Sequence, residues 1–108
     1  MRQYELWWAE LPEPVGRRPV LLLARDAAYE CLSRATVVEV TTTIRNIPVE
    51  VRLGRKEGLA RPFVANLDSL HVVPLARLRK RIGALGPERV AEVKRALGYA
   101  LSWTELKS

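Results

Sequence analysis

Three short stretches of the chain carry side chains that could act on a phosphate group. The first is Arg17 and Arg18, which directly follow the turn residue Gly16 and open an apolar run. A guanidinium presents a flat fork of donors that suits phosphate oxygens, so this pair could clamp a phosphodiester and stabilise charge that develops on it. An ordinary basic turn is the alternative, and for this stretch taken alone it is preferred.

The other two stretches offer hydroxyl groups, a carboxylate and an imidazole. Residues 41–43 are three consecutive threonines whose hydroxyls and backbone N–H groups could bind phosphate oxygens, although threonine also simply favours strands. Farther along, Asn66 and Asp68 precede His71, the only histidine of the chain. Asn, Asp and Ser also form turns, so a turn is the simpler interpretation of this stretch.

The sequence lacks the residues that most other catalytic, metal-binding or nucleotide-binding sites need. One cysteine, Cys31, excludes an intramolecular disulfide, and one histidine excludes the common His/Cys zinc frameworks. The chain has no GxSxG, HExxH, P-loop or GxGxxG motif, and its carboxylates show no metal-binding spacing. We therefore predict no metal and no cofactor, and we expect Cys31 to be a buried, inert thiol.

The length and composition indicate one folded domain spanning residues 1–108. A chain of 108 residues falls within the roughly 100–200 residues typical of a domain. Its 48% hydrophobic and 28% charged residues are typical of a folded soluble protein. No apolar run approaches the roughly 20 residues of a membrane span, and the N-terminus has no apolar signal segment. These features predict a cytoplasmic protein.

The positive charge is concentrated in the middle of the chain. Residues 40–85 carry nine basic and three acidic side chains, whereas residues 1–39 carry five basic and six acidic ones. The basic residues of the whole chain are 14 Arg and only 4 Lys, which favours phosphate recognition. The charge alone supports two interpretations about equally. One is a polyanion partner, most plausibly nucleic acid, and the other is a solvated surface in an organism whose codon usage favours Arg.

The hydrophobic pattern predicts strands first and a helix last. Alternation, β-branched residues and one continuous apolar run predict five or six short strands. They are Gln3–Leu11, Pro19–Ala24, Thr36–Thr42, Val49–Leu53, Phe63–Asn66 and Leu70–Val73. A mixed connection with a helical turn is expected over 26–34. Helical spacing then begins at Pro87, after a Gly86 cap, and Gly98 weakens its last turn. We predict an α+β fold in which the sheet curls into a small barrel with a C-terminal helix across it.

The joint occurrence and order of these stretches resemble a known family. Residues 7–12 (WWAELP), 17–23 (RRPVLLL), 37–43 (VVEVTTT), 48–51 (PVEV) and 64–68 (VANLD) are followed by 78–85 and a final helix. Over nearly the whole chain, from about Tyr4 to Leu101, this arrangement closely resembles the MazF/PemK toxins of bacterial toxin–antitoxin systems. The resemblance implies a homodimer of an SH3-like β-barrel with five to seven short strands and a C-terminal helix.

The resemblance also implies an activity and its residues. MazF/PemK toxins cut single-stranded RNA, chiefly mRNA, at short sequences without a metal, leaving a 2′,3′-cyclic phosphate and a 5′-hydroxyl. An antitoxin neutralises them with an acidic, disordered tail. The catalytic Arg and Thr of the family match Arg18 and Thr41, and its acidic residue near the scissile phosphate matches Asp68. His71 is a weaker candidate for the general base.

Five further residues around this centre are expected to contact RNA. They are Trp8, Arg17, Thr42, Arg45 and Asn66. Trp8 would stack on an unpaired base, and the competing interpretation of nearly equal weight places it in the core or in a dimer interface.

One departure from the family leaves an alternative function open. The loop between the first two predicted strands is short, whereas many members of the family have a longer, Gly-rich loop that gates the active site. The alternative is a non-catalytic toxin of the same barrel, similar to CcdB, or a nucleic-acid- or protein-binding module. The presence of Arg18 together with Thr41 favours the nuclease.

Overall fold

The computed structural model describes residues 1–107, and its strands form one antiparallel sheet. The strands are β1 (Glu5–Glu10), β2 (Arg17–Leu22), β3 (Arg34–Thr41), β4 (Glu50–Leu53), β5 (Phe63–Pro74) and β6 (Leu78–Ala84). Their order across the sheet is β4-β5-β3-β2-β1-β6. The helices are α1 (Ala28–Cys31), α2 (Pro87–Ala100) and α3 (Thr104–Lys107). The predicted α+β class and the C-terminal helix are confirmed, whereas the predicted strands differ from the observed ones in the second half of the sheet.

The sheet has a hydrophobic cluster on each face. On one face α2 covers residues from five strands, and its buried Val93 and Ala96 pack beside Leu21 and Val38. The opposite face carries a smaller cluster that includes Val20, Leu22 and Val37. Because successive side chains of a strand point to opposite faces, a central strand buried on both faces has a continuous apolar sequence. This explains the uninterrupted apolar run of β2.

The sheet curls into a half-barrel whose edge strands, β4 and β6, do not pair with each other. A 3-10 turn that follows β4 (Arg55–Glu57) lies against β6 at the place where a barrel would close. The contact requires a glycine, because a Cβ added to Gly83 would lie 2.1 Å from the backbone oxygen of Glu57. Gly83 therefore permits the close approach of backbone to backbone that bends the sheet.

Helix α2 begins and continues largely as the sequence predicts. Gly86 is its N-cap and Pro87 its first residue, a position where the missing N–H of proline costs nothing. The helix continues past Gly98, which is buried, to Ala100. Beyond it, Leu106 lies in a cleft against α2, whereas Trp103 is half exposed.

The two short strands predicted over 63–73 form one long strand, β5, with a bulge. Val38 pairs with Leu70 and Val40 pairs with Ala65, so one residue of β3, Glu39, faces the four residues 66–69 of β5. The side-chain oxygen of Asn66 accepts a hydrogen bond from the backbone N–H of Asp68 at 2.9 Å. The turn-forming residues thus make a bulge within the strand, which bends it without ending it.

Two further expectations differ from the structure. Strand β6 was not predicted as a strand, because Arg79, Lys80 and Arg81 are consecutive and exposed, so no alternation marks it. Exposed charges of this kind are common on edge strands, where they discourage pairing with other chains. The prediction that Cys31 is buried was wrong: it ends the protruding four-residue helix α1 and is exposed. None of the helices in the described part of the chain is long and apolar enough to cross a membrane.

Candidate functional site

A polar cleft of about 280 Å³ lies at the end of the sheet where β2 begins, β3 ends and β5 begins. Its lining comprises Trp8, Arg17, Arg18, Pro19, Val40, Thr41, Thr42, Arg61 and Phe63. Three of these lining residues are arginines. Within the part of the chain that the structure describes, no Asp or Glu lines the cleft. A cleft lined in this way attracts anions, and the aromatic rings beside the cations suit the face of a nucleobase.

Arg17 and Arg18 are neighbours in sequence, but their side chains lie on opposite faces of the sheet. Arg17 extends over the ring of Trp8, with its Cζ atom 4.9 Å from the ring centroid. This distance is typical of a cation–π contact, which orders both side chains at the rim of the cleft. Trp7, on the alternate face of β1, instead packs against the smaller hydrophobic cluster.

Arg18 points toward β3 and forms an ion pair with Glu39. Glu39 pairs with Val20 in the sheet, and Arg18 lies two residues before Val20 and therefore on the same face. The Nη1 group of Arg18 donates a hydrogen bond to Oε1 of Glu39. The other carboxylate oxygen, Oε2, lies 2.9 Å from Nε2 of His71, which projects from β5. One carboxylate thus joins the predicted catalytic Arg to the only imidazole of the chain.

A second, less polar cavity of about 390 Å³ lies on the other side of this ion pair. Its floor is formed by apolar residues of β2, β3 and the β1–β2 loop, including Val20, Val37 and Leu11. Its charged and titratable groups are Arg34, Glu39, His71 and Arg77. Because Arg18 lines the cleft and Glu39 lines the cavity, their ion pair stands where the two spaces meet.

Thr41 contributes its hydroxyl from the last residue of β3. Its Oγ1 atom accepts a hydrogen bond from the backbone N–H of Thr43 at 3.2 Å, which orients the hydroxyl at the strand end. Thr42 is exposed beside it and lines the same cleft. Because Thr41, Glu39 and Val37 alternate along β3, the hydroxyl and the carboxylate project from the same face of the strand.

The structure does not bring three other predicted residues into this cleft. Asn66 and Asp68 lie in the bulge of β5, opposite Glu39, and neither lines the cleft. Arg45 lies in the loop after β3, where its backbone N–H donates to Oε1 of Glu50 at 2.9 Å. Roles for these three residues in RNA binding or catalysis stay predictions.

Sequence reasoning missed two residues of the site, Glu39 and Arg61. Glu39 carried a signal, since it is the one acidic residue among the apolar and Thr residues of β3 and lies two positions before Thr41. Arg61 was not singled out within the basic segment 45–61, which the sequence predicts to hold the RNA backbone or the antitoxin tail, and only the fold brings it to the cleft beside Arg17 and Arg18. Among the described residues, no group of three or more His, Cys, Asp or Glu side chains is placed to hold a metal ion.

Comparison with known proteins shows which family the chain resembles over most of its length. Residues 2–101 match the family model described as PemK-like, MazF-like toxin of type II toxin–antitoxin system. A curated relative from Mycobacterium tuberculosis, "Probable endoribonuclease MazF5", is 43% identical over 98 residues, which are 90% of this chain and 89% of the relative.

Two solved structures share the fold. The Mycobacterium tuberculosis toxin MazF-mt6 superposes with a TM-score of 0.84 at 31% identity, covering 91% of this chain and 96% of that one. A mycobacterial endoribonuclease, solved in complex with its cognate antitoxin, has the same TM-score of 0.84 at 23% identity, covering 95% and 96% of the two chains. The second likeness shows the fold alone. Together with the family match over residues 2–101, these comparisons show that the chain belongs to the PemK/MazF-like toxin family of type II toxin–antitoxin systems.

Proposed function

We propose that this protein is an endoribonuclease toxin that cuts single-stranded RNA, with mRNA as its target, at short specific sequences. The observation that carries the proposal is the cleft itself, which brings Arg18 and Thr41 together with Trp8 and two further arginines. These residues are separated by up to 53 positions in the sequence, from Trp8 to Arg61. Relatives of this chain that share 43% and 37% of its residues are named probable endoribonucleases, which supports the same activity.

The chemistry that these residues support is an intramolecular transesterification of the RNA phosphodiester. The 2′-hydroxyl of the RNA attacks the adjacent phosphorus, the bond to the 5′-oxygen breaks, and the products are a 2′,3′-cyclic phosphate and a 5′-hydroxyl. We propose that this step needs no metal, because the guanidinium of Arg18 stabilises the charge on the phosphorane while the Thr41 hydroxyl binds a non-bridging oxygen. Asp68 stays a candidate for orienting the substrate.

RNA recognition would extend from the catalytic residues along the cleft. We propose that Trp8 stacks on an unpaired base and that Arg17, Thr42 and Arg61 contact the phosphates that flank the scissile one. Arg45 and Asn66, which lie outside the cleft, would contact RNA beyond it. Binding that depends on several guanidinium–phosphate contacts should weaken as salt is added, because it releases counterions from the RNA.

The partners that we propose are an antitoxin and a second copy of the chain. An acidic, disordered antitoxin segment would lie on the arginine-lined cleft, in competition with RNA. Dimerisation is supported by apolar side chains near the C-terminus that the described chain leaves uncovered: Leu101 is 49% exposed and Trp103 is 50% exposed. We further propose that the toxin acts in the cytoplasm, where mRNA is translated.

One observation favours the alternative function, a binding module that does not cut RNA. Glu39 neutralises Arg18, and a guanidinium that is already paired stabilises a phosphorane less strongly. The two functions are separated by the experiment below, because only the nuclease produces fragments.

The proposal is tested by incubating purified, antitoxin-free protein with a long, weakly structured RNA in excess EDTA and mapping both ends of every fragment. Cuts at a recurring short sequence, lost in Arg18→Ala and kept in Arg95→Ala, are expected. Arg95 is the matched control because it is an exposed arginine on α2, away from the cleft. Folded wild-type protein that leaves the RNA intact would instead favour the binding module.

A further inference from the structure

Transfer of the phosphodiester requires two proton movements that Arg18 is poorly suited to perform. The 2′-hydroxyl must lose a proton as it attacks, and the 5′-oxygen must gain one as it leaves. A guanidinium has a pKa above about 12, so a deprotonated Arg that could serve as a base is very rare at neutral pH. The base must therefore be sought among groups that contact Arg18 or lie beside it.

Glu39 and His71 are the titratable groups in direct contact with Arg18 or with one another at this place. Glu39 is the partner of Arg18, and its Oε2 atom lies 2.9 Å from Nε2 of His71. The Glu39 side chain is 18% exposed and that of His71 is 49% exposed, so both can be reached from the open cavity. Glu39 and His71 line the cavity and not the cleft itself, whereas Asp68 lines neither.

We propose that Glu39 is the general base of the cleavage reaction and that His71 is its general acid. This inference rests on the proposed endoribonuclease function. The Glu39 carboxylate takes the proton of the 2′-hydroxyl while the 2′-oxygen forms its bond to phosphorus. As the bond from phosphorus to the 5′-oxygen breaks, the His71 imidazolium gives that oxygen a proton. Glu39 then passes the proton it gained to His71 across the 2.9 Å that separates Oε2 of Glu39 from Nε2 of His71, which restores both groups for the next cycle.

The ion pair with Arg18 makes this assignment electrostatically favourable. In the ground state the charge of the guanidinium is balanced by the Glu39 carboxylate. When Glu39 accepts a proton it becomes neutral, and the charge of Arg18 is released at the moment when negative charge accumulates on the phosphorane. An interaction that strengthens only in the transition state accelerates the reaction without tightening substrate binding.

The surroundings of the pair supply positive charge from three elements. Arg18 approaches Glu39 from β2, while Arg34 of β3 and Arg77 of the 3-10 turn after β5 line the cavity that contains Glu39 and His71. Four apolar or proline residues, Leu11, Val20, Val37 and Pro74, line the same cavity beside the pair.

The test compares two RNA substrates that differ only at the scissile linkage. One has the natural 5′-oxygen, and the other has a bridging 5′-sulfur, which leaves without needing a proton. On natural RNA, Glu39→Gln and His71→Asn should each cut at least about 100-fold more slowly than wild type. On the sulfur-linked RNA, His71→Asn should recover a rate near wild type, whereas Glu39→Gln should stay slow.

One control variant and one binding measurement separate catalysis from a structural effect. Glu5→Gln removes a carboxylate that pairs with Arg81 elsewhere in the sheet, and it should cut near the wild-type rate. Glu39→Gln should bind an RNA that has a 2′-deoxy residue at the scissile position at least as tightly as wild type. A carboxylate with a purely structural role predicts weaker binding, because its loss would disorder Arg18.

A Glu39→Gln variant that cuts natural RNA at the wild-type rate, or a His71→Asn variant that stays slow on the sulfur-linked RNA, would overturn the inference and leave the endoribonuclease proposal standing. Absence of cutting by the folded wild type would instead overturn the endoribonuclease proposal, and this inference with it.

Discussion

The guanidinium of Arg17 covers one face of the Trp8 ring, with 4.9 Å between its Cζ atom and the ring centroid. A base can therefore stack on Trp8 only where this cation leaves the ring free or moves aside, and a phosphate beside that base would bring Arg17 an anionic partner. In the RNA complex that we propose, the contact between these two residues would link base recognition to phosphate binding at the rim of the cleft.

Trp8→Ala should weaken RNA binding without unfolding the protein. Loss of one base stack costs about 1–3 kcal/mol, which corresponds to roughly a 5- to 150-fold rise in Kd. Fluorescence anisotropy with labelled, uncleavable single-stranded RNA measures the change. Trp7→Phe is the matched control, since Trp7 lies on the other face of β1 and packs in the smaller cluster. An unchanged Kd for Trp8→Ala would place that ring outside RNA recognition.

Thr41→Val should slow RNA cleavage by about 10- to 1,000-fold, because it removes a hydroxyl that stabilises the phosphorane and keeps the shape of the side chain. Thr41→Ser should retain most of the rate. The measurement is single-turnover cleavage with enzyme in excess, which separates the chemical step from binding. Thr36→Val, on the same strand but away from the cleft, serves as the control. Equal rates for Thr41→Val and wild type would exclude Thr41 from catalysis.

Gly83→Ala should destabilise the fold, since its Cβ would lie 2.1 Å from the backbone oxygen of Glu57. Forcing the 3-10 turn away from β6 should cost about 1–3 kcal/mol in the free energy of unfolding. Urea denaturation followed by circular dichroism measures this cost. At Gly86, where an added Cβ meets nothing within 4 Å, the same substitution should cost less than about 1 kcal/mol. Similar losses at both positions would show that the close approach of the backbones has no effect on stability.

Glu5→Gln should destabilise the protein in a pH-dependent manner. Burial raises the pKa of the Glu5 carboxyl, but hydrogen bonds from Trp7, Arg81 and the backbone of Arg2 outweigh burial and hold the pKa below its usual value. A lowered pKa in the folded state means that the ionised carboxylate contributes stability at pH values above the unfolded-state pKa, and that this contribution is lost as the pH falls through the folded-state pKa.

The stability difference between wild type and Glu5→Gln should thus be about 1–3 kcal/mol at pH 7 and should shrink below pH ~4. Thermal or urea unfolding of both proteins between pH 3 and pH 7 measures it. A difference that stays constant over this range would mean that the charge of Glu5 does not contribute to stability.

The sequence by itself determined the local elements and the order in which they occur. Alternation and β-branched residues marked β1, β3 and β4, a continuous apolar run marked β2, and the Gly86–Pro87 pair marked the start of α2. The stretches around Arg18 and Thr41 carried the family resemblance. Each of them is a run of consecutive residues, so it can be recognised in the sequence without knowledge of the fold.

The tertiary structure alone decided which of the polar side chains share a site. Glu39 and His71 are 32 positions apart, and their contact depends on the register of β3 against β5 and on the bulge at 66–69. Arg61 reaches the cleft only because the loop before β5 folds back toward β2. A local pattern fixes which face of a strand each residue occupies, but the distance between strands that are remote in sequence is set by packing and register. For that reason Arg17 and Arg18 could be recognised from the sequence, whereas the contact between Glu39 and His71 could not.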